Sequence, residues 1–145
     1  MAFELKTEIT INSIPEKVWS ILTDFDKYPT WNPFVTSLTG DVKVGNKIAV
    51  RIELPEASAN NFKPTVTAFE PHKKLSWLGV FLFRGVFDGE HIFELIDNGN
   101  GTTTLIQKEN FIGLLVPVFK KMLDNNTRRG FEAMNKKLKE LAENK

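Results

Sequence analysis

The feature that most constrains the fold is the last segment of the chain, from about Leu115 to Asn144. After Pro117 it contains neither Pro nor Gly except Gly130, so it predicts one helix of about seven turns. One side of this helix carries apolar residues at helical spacing, interrupted by Asn126. Those residues are Phe119, Met122, Leu123, Phe131, Met134, Leu138 and Leu141. A helix this long with an apolar face must be covered by another large element.

The preceding part of the chain predicts that this element is an antiparallel sheet. Phe3 to Ile11 alternates apolar with charged or polar residues, as a half-buried strand does. A short helical region and a proline-rich connector follow in residues 13–33. Between Phe34 and Phe111, turn residues separate six more strand-like stretches, with a bulge or strand end expected at Pro64. The sequence therefore predicts an α+β fold with a seven-stranded sheet and its helices on one face.

The aromatic residues indicate an apolar interior. Twelve Phe and three Trp accompany a single Tyr, so most of the aromatic surface carries no hydroxyl that needs a partner. Such surface builds either a solid core or an apolar pocket, and we expect a pocket of roughly 300 Å³ or more. With 145 residues and no cysteine, the chain is expected to form a single disulfide-free domain over residues 1–145.

Location and partners follow from charge and hydropathy. Glu4, Lys6 and Glu8 interrupt the N-terminal segment where a secretory signal would need an apolar run, and no apolar stretch approaches the ~20 residues of a membrane span. We therefore expect a cytoplasmic protein with no stable membrane insertion. Residues 117–145 carry eight basic and four acidic side chains, too few for a nucleic-acid-binding surface. We expect a monomer or a weak homodimer.

The order of elements, with several short motifs, resembles the START-like superfamily, also called the Bet v 1-like or SRPBCC fold. Within it, the chain resembles the bacterial polyketide cyclase/dehydrase-like proteins. The motifs are IPEKVWSILTDFDKYPTWNPFV at 14–35, KLSW at 74–77, GEHIFELI at 89–96, GTTTLIQKENFIG at 101–113 and NKKLKEL at 135–141. The resemblance covers nearly the whole chain. It implies a helix-grip: a curved sheet wrapped around the long C-terminal helix, with an apolar cavity between them.

Three polar residues are expected on the cavity face of one strand pair. Pairing Ile96 with Thr102 across the DNGNG turn places His91 opposite Gln107, with Glu109 on the same side. An unpaired buried polar group costs about 1 to 3 kcal/mol, so these side chains need partners. They could form a structural pair, bind a ligand, or move protons as an acid and a base. A slip of one residue would turn His91 outward and remove all three interpretations.

Other residues are expected around the cavity on different elements. Trp31 and Tyr28 are predicted at its mouth, and Asn126 is predicted as a polar group on the long helix beside Gly130. Gly130 either widens the cavity or allows close packing. The remaining predicted wall residues are Trp77, Phe81, Phe87 and Phe119.

The sequence carries no recognisable cofactor site. It has two His and no Cys, and it lacks a metal-ligand spacing, a phosphate-binding glycine loop and a serine-nucleophile motif, so we expect neither a metal nor a cofactor. The leading hypothesis is a binding protein for a small hydrophobic molecule that is lipid-like, polyketide-like or aromatic. One alternative is a cyclase or dehydratase that uses His91 and Glu109 as acid and base. The other is a co-chaperone-like module, indicated by the basic residues Lys120, Lys121, Arg128 and Arg129.

Overall fold

A computed structural model describes residues 2–55, 57–81 and 83–144 of the chain. These residues form eight strands: β1 (Ala2–Ile11), β2 (Val35–Thr39), β3 (Ala49–Ile52), β4 (Asn60–Phe62), β5 (Thr65–Glu70), β6 (Lys74–Phe81), β7 (Phe87–Asp97) and β8 (Thr103–Ile112). The helices are α1 (Pro15–Leu22), α2 (Tyr28–Trp31), α3 (Val116–Met122) and α4 (Arg128–Glu143), with a 3-10 turn at Phe25–Lys27 and a π turn at Leu123–Thr127. The predicted α+β class is confirmed.

The strands form a curved, open antiparallel sheet in two parts. Five strands are ordered β1-β8-β7-β6-β5, and three are ordered β2-β3-β4. The two parts meet where Lys47 bridges Thr65, and the Val66 amide donates to the Asn46 carbonyl at 2.9 Å. The sheet bends where its two parts meet, so that it covers two sides of the long helix.

The predicted count of seven strands is wrong by one, and Pro64 is the reason. The stretch expected to be one strand is divided into β4, which pairs with β3, and β5, which pairs with β6. Proline has no amide hydrogen and interrupts a ladder. One continuous segment of the chain, residues 60–70, therefore contributes to both parts of the sheet.

The long C-terminal helix is confirmed, running from Val116 to Glu143 through α3, the π turn and α4. Its inner residues Phe131, Met134 and Leu138 are fully buried, and α4 packs on β1 and α1. A π turn adds one residue to a helical turn and changes which side chains face inward afterwards. Among the described residues, no helix has the length and apolar character needed to cross a membrane.

The pairing of β7 with β8 differs from the prediction by two residues. Asp97 pairs with Thr103, and His91 lies directly opposite Glu109. The loop lies one residue later than expected, because the Asn98 amide donates to the Thr102 carbonyl at 3.1 Å and closes it there. Because side chains alternate with a period of two, this shift leaves every residue on its predicted face.

Tyr28, predicted at the cavity mouth, belongs to the core instead. It is fully buried, its hydroxyl donates to the Leu22 carbonyl, and burial, with a smaller contribution from the nearby Asp24 charge, raises its pKa well above the ordinary value. Trp31 packs edge-on against it, with ring centroids 5.4 Å apart. The two aromatic residues of the proline-rich connector therefore pack against each other. Tyr28 points inward because its hydrogen-bond acceptor lies at the end of α1.

Gly130 allows close packing of α4. A Cβ atom at this position would lie 2.8 Å from Cδ1 of Phe34 and 3.1 Å from Cδ2 of Leu54. Phe34 is buried and packs edge-on against Phe131, with centroids 5.2 Å apart. The absence of a side chain at Gly130 therefore leaves the space that the Phe34 ring occupies against α4.

Replacing Gly130 with Leu should lower the free energy of unfolding by about 1 to 3 kcal/mol, because the added side chain has no space beside Phe34. Gly130→Ala should cost less, since its gain in helix propensity of about 1 kcal/mol offsets part of the clash. Urea unfolding measures both, and Glu132→Leu on the exposed side of α4 is the control. Equal stability of Gly130→Leu and Glu132→Leu would contradict this account.

Candidate functional site

A cavity of about 370 Å³ lies between the two parts of the sheet and the long helix. This agrees with the predicted position and with the expected minimum of roughly 300 Å³. Strands β6 to β8 contribute Trp77, Gly79, Val80, Phe87, Gly89, His91, Glu109 and Phe111. The opposite wall comes from Phe34, Val50, Ile52, Leu54, Asn60, Phe62 and Pro64, and the helix adds Phe119, Met122, Leu123 and Thr127. Apolar side chains dominate all three walls.

Aromatic pairs shape the cavity. Phe87 stacks on Phe119 with ring centroids 5.3 Å apart, which ties α3 to β7. Phe87 also contacts Phe111 on β8, with centroids 5.8 Å apart. Rings in such contact attract each other, so these three side chains form one continuous aromatic wall.

The mouth of the cavity is apolar. Phe62 on β4, Val80 on β6 and Met122 on α3 line the cavity and are also exposed on the molecular surface. Exposed apolar residues at the edge of a pocket are typical of a passage for an apolar ligand.

His91 is enclosed by aromatic rings at the inner end of the cavity. Its ring stacks on Trp77 with centroids 5.3 Å apart and on Phe34 at 5.8 Å, while Phe131 and Phe93 approach it at 4.9 Å and 4.8 Å. Only 3% of the residue is exposed. A histidine side chain surrounded by aromatic rings can form hydrogen bonds only through its two ring nitrogens. The partners of these nitrogens therefore determine its protonation and its chemistry.

Both nitrogens of His91 contact oxygen atoms. Nδ1 lies 3.1 Å from Oε1 of Glu109, and Nε2 lies 3.0 Å from Oε1 of Gln107. The structure thus brings together the three polar side chains expected on this face.

Glu109 turns its second carboxylate oxygen toward Gly89. A Cβ atom at Gly89 would lie 2.3 Å from Oε2 of Glu109, so any side chain at this position would displace the carboxylate from its present place. The side chain of Glu109 is 18% exposed and lines the cavity. Among the described residues no hydrogen bond reaches Oε2. One oxygen of Glu109 is therefore held by His91, and the other is available to a ligand.

A chain of buried hydrogen bonds continues behind His91, away from the cavity. The Gln107 Nε2 group donates to Oδ1 of Asn135 at 2.7 Å, and the Asn135 Nδ2 group donates to Oγ1 of Thr7 at 2.8 Å. The Thr7 hydroxyl donates to the main-chain carbonyl of Gln107 at 2.8 Å. We call these three residues, Thr7, Asn135 and Gln107, the buried amide chain. It joins β8, α4 and β1 behind the site.

The remaining predicted site residues are placed as follows. Trp77, Phe87 and Phe119 line the cavity together with His91 and Glu109. Gln107 is fully buried and reaches the cavity only through His91. The side chain of Phe81 lies outside the described part of the chain.

Two predicted site residues are absent from the described cavity wall. Trp31 packs on Tyr28. Asn126 donates from Nδ2 to the Pro55 carbonyl at 3.1 Å, so it holds the loop that follows β3 against the π turn. Asn126 therefore has a partner of its own.

Sequence reasoning did not identify Thr7, Asn135, Phe34 or Gly89 as part of the site. Two of them left a signal: Thr7 interrupts the buried side of β1, and Asn135 lies beside the apolar residues of the helix. A polar residue in each of two apolar faces indicates that the faces meet at a polar contact. Phe34 left no comparable signal, because its role depends on neighbours distant in sequence. The predicted pairing did place Gly89 on the inner face opposite Glu109, but it gave Gly89 no role in the site.

Comparison with known families found a match over almost the whole chain. The sequence model of the family described as polyketide cyclase / dehydrase and lipid transport matches residues 2–143. A search of curated proteins found no significant match.

Solved structures share the fold at low sequence identity. The ZhuI aromatase/cyclase from Streptomyces sp. R1128 is 13% identical, with a TM-score of 0.79 over 99% of this chain and 94% of that chain. A START superfamily protein from Mycobacterium smegmatis is 18% identical, with a TM-score of 0.74 over 97% of each chain. The di-domain aromatase/cyclase StfQ of the steffimycin pathway is 14% identical, with a TM-score of 0.78 over 99% of this chain. The chain spans about half of StfQ, 52% of its length.

Proposed function

Because the chain belongs to the polyketide cyclase / dehydrase and lipid transport family, we propose that its cavity binds one small hydrophobic molecule and anchors it at Glu109. The observation that carries this proposal is the arrangement of the cavity: apolar walls around about 370 Å³, with a carboxylate oxygen available at the inner end. Apolar walls with a few placed polar groups are typical of ligand sites.

The size and chemistry of the cavity support a ligand with an aromatic or otherwise flat apolar body. Trp77, Phe87 and Phe119 line the cavity with aromatic rings, which suit such a body. The apolar walls drive binding by removing apolar surface from water, and the anchor at Glu109 orients the ligand.

The proposal is tested with N-phenyl-1-naphthylamine, a neutral dye that fluoresces in apolar surroundings, together with native mass spectrometry of the protein as purified. We expect saturable binding of one dye molecule and its displacement by any small molecule that copurifies. Absence of dye binding, with no copurified molecule, would overturn the proposed function.

Replacing Glu109 with Gln should weaken ligand binding about fivefold, since a hydrogen bond to a charged group is worth about 1 kcal/mol more than one to a neutral group. Glu94→Gln is the matched control, because Glu94 pairs with Lys108 at 2.9 Å outside the cavity. Fluorescence titration of both variants measures the effect. Equal affinity of the two variants would show that Glu109 does not contact the ligand.

The enzymatic alternative predicts a different result for the same site. His91 and Glu109 hydrogen-bond each other, which is the arrangement that an acid/base pair needs. If they catalyse a reaction, the wild-type protein converts its ligand, and His91→Gln and Glu109→Gln lower the rate about 10² to 10⁴-fold with a smaller effect on affinity. Mass spectrometry of the ligand after incubation distinguishes a binder from an enzyme.

A further inference from the structure

We propose that the buried amide chain keeps a proton on Nε2 of His91, so that Glu109 offers the cavity a hydrogen-bond acceptor and the site selects neutral hydroxyl-bearing ligands over carboxylates. This inference rests on the proposed function for its ligand class. The arrangement of protons, in contrast, is a property of the protein without ligand.

A main-chain carbonyl at the Thr7 end of the buried amide chain determines which group donates in each of its hydrogen bonds. The carbonyl of Gln107 can only accept, so the Thr7 hydroxyl, 2.8 Å away, must donate to it. Because the Thr7 hydroxyl has only this one hydrogen, Oγ1 of Thr7 can only accept from Asn135, and the atom that donates to it is Nδ2. Oδ1 of Asn135 therefore faces Gln107. The main-chain carbonyl of Phe131, 3.4 Å from Gln107 Nε2, favours the same orientation.

His91 is the last member of this sequence of donors and acceptors. Because the Gln107 amide nitrogen faces Asn135, its Oε1 atom faces His91 Nε2 at 3.0 Å. An amide oxygen only accepts, so Nε2 must carry a hydrogen. The tautomer of His91 is thereby determined by residues on β1 and α4 that do not touch the cavity.

A hydrogen bond between Nδ1 of His91 and Oε1 of Glu109, which are 3.1 Å apart, requires one further proton. If it is on Nδ1, Glu109 is a carboxylate; if it is on Oε1, Glu109 is an acid whose hydrogen points to His91. In both arrangements Oε2 of Glu109 has lone pairs and no hydrogen. The cavity therefore presents an acceptor at this position.

The acceptor Oε2 of Glu109 favours a ligand that carries a hydrogen-bond donor. A phenol or alcohol can donate to Oε2 of Glu109, whereas a carboxylate only accepts and would face like charge or lone pairs. The described lining residues include no Lys or Arg that could pair with a buried anion. Burying an unpaired charge is far more costly than burying a hydrogen-bonded hydroxyl.

Nitrogen-15 NMR of the ligand-free protein tests the arrangement of protons. The chain has two histidines, and His72 is exposed, so it serves as an internal reference. We expect a protonated Nε2 in His91 at neutral pH. A His91 that carries its hydrogen on Nδ1 alone would overturn the proposal, whether or not any variant folds.

Two substitutions at Thr7 test whether this end of the buried amide chain determines which nitrogen of His91 is protonated. Thr7→Ser keeps the hydroxyl and should leave the His91 spectrum unchanged. Thr7→Val keeps the shape but removes the donor, so it should raise the share of His91 that carries its hydrogen on Nδ1 alone. A purely structural role of Thr7 would lower stability without changing this ratio, and that result would overturn the positioning role.

Three naphthalene probes test the ligand class: 2-naphthol, 2-methylnaphthalene and 2-naphthoate. The first two are neutral and the third is ionised at neutral pH. We expect 2-naphthol to bind at least about tenfold more tightly than 2-naphthoate, and more tightly than 2-methylnaphthalene. Equal or tighter binding of 2-naphthoate would overturn the ligand class. If neither the neutral dye nor 2-naphthol binds, the proposed function fails and the ligand class fails with it, while the NMR result still decides the arrangement of protons.

Discussion

Replacing Gly113 with Ala should lower the free energy of unfolding by about 3 kcal/mol, which combines a strained backbone angle with a clash against main-chain atoms. Gly113 has a φ of 142°, and a Cβ atom there would lie 2.3 Å from the Val86 carbonyl oxygen and 2.9 Å from the Phe87 nitrogen. Main-chain atoms in a hydrogen-bonded segment cannot move aside cheaply. Urea and thermal unfolding measure the loss.

This close approach joins the end of β8 to the beginning of β7. The amides of Leu114 and Leu115 donate to the carbonyls of Gly85 and Val86 at 3.1 and 3.0 Å. Next to this contact, Phe87 stacks on Phe119 and holds α3 over the cavity. The Gly113→Ala variant should therefore also lose dye affinity, because the α3 wall is displaced.

The control for Gly113→Ala is Gly101→Ala. Gly101 also has a positive φ, 85°, but a Cβ atom there would meet nothing within 4 Å. Its substitution should cost only the backbone strain, about 1 to 2 kcal/mol. Similar losses in the two variants would mean that the contact with Val86 contributes nothing.

The second large effect is expected at Gly89. An Ala side chain there would occupy the position of Glu109 Oε2, which lies 2.3 Å from the added Cβ. The end of the Glu109 side chain must move away from the position where it faces the cavity. We expect about a tenfold loss of ligand affinity with little change in stability, because the end of a flexible side chain shifts at low cost. Dye titration and urea unfolding measure the two effects.

Gly79 provides a matched control for this substitution. It lies directly opposite Gly89 on β6 and lines the same cavity, but a Cβ atom there meets only the Gly89 carbonyl oxygen, at an ordinary 3.8 Å. Gly79→Ala therefore adds the same methyl group to the same wall without moving Glu109. If both variants lose affinity equally, the loss comes from filled volume, and the role assigned to Glu109 is wrong.

Local patterns were sufficient to predict the elements of the fold and the direction in which their side chains point. Alternation along β7 and β8 placed His91, Gln107 and Glu109 on the inner face, and the two-residue difference in pairing did not alter that, since a strand repeats every two residues. The same reasoning located the strand end at Pro64. It did not reveal that the two halves of that stretch pair with different strands.

The α+β class, the long C-terminal helix, the aromatic-rich interior and the inward-facing His91 with two polar neighbours could all be inferred from the sequence, because each of these follows from residues close together in the chain. Three features became visible only in the folded protein: Phe34 and the second part of the sheet form the opposite wall, Asn126 binds the Pro55 carbonyl, and Thr7 and Asn135 lie behind Gln107. These features join residues up to 128 positions apart. Periodicity describes which face a side chain occupies, whereas the partner that it meets depends on how the elements pack.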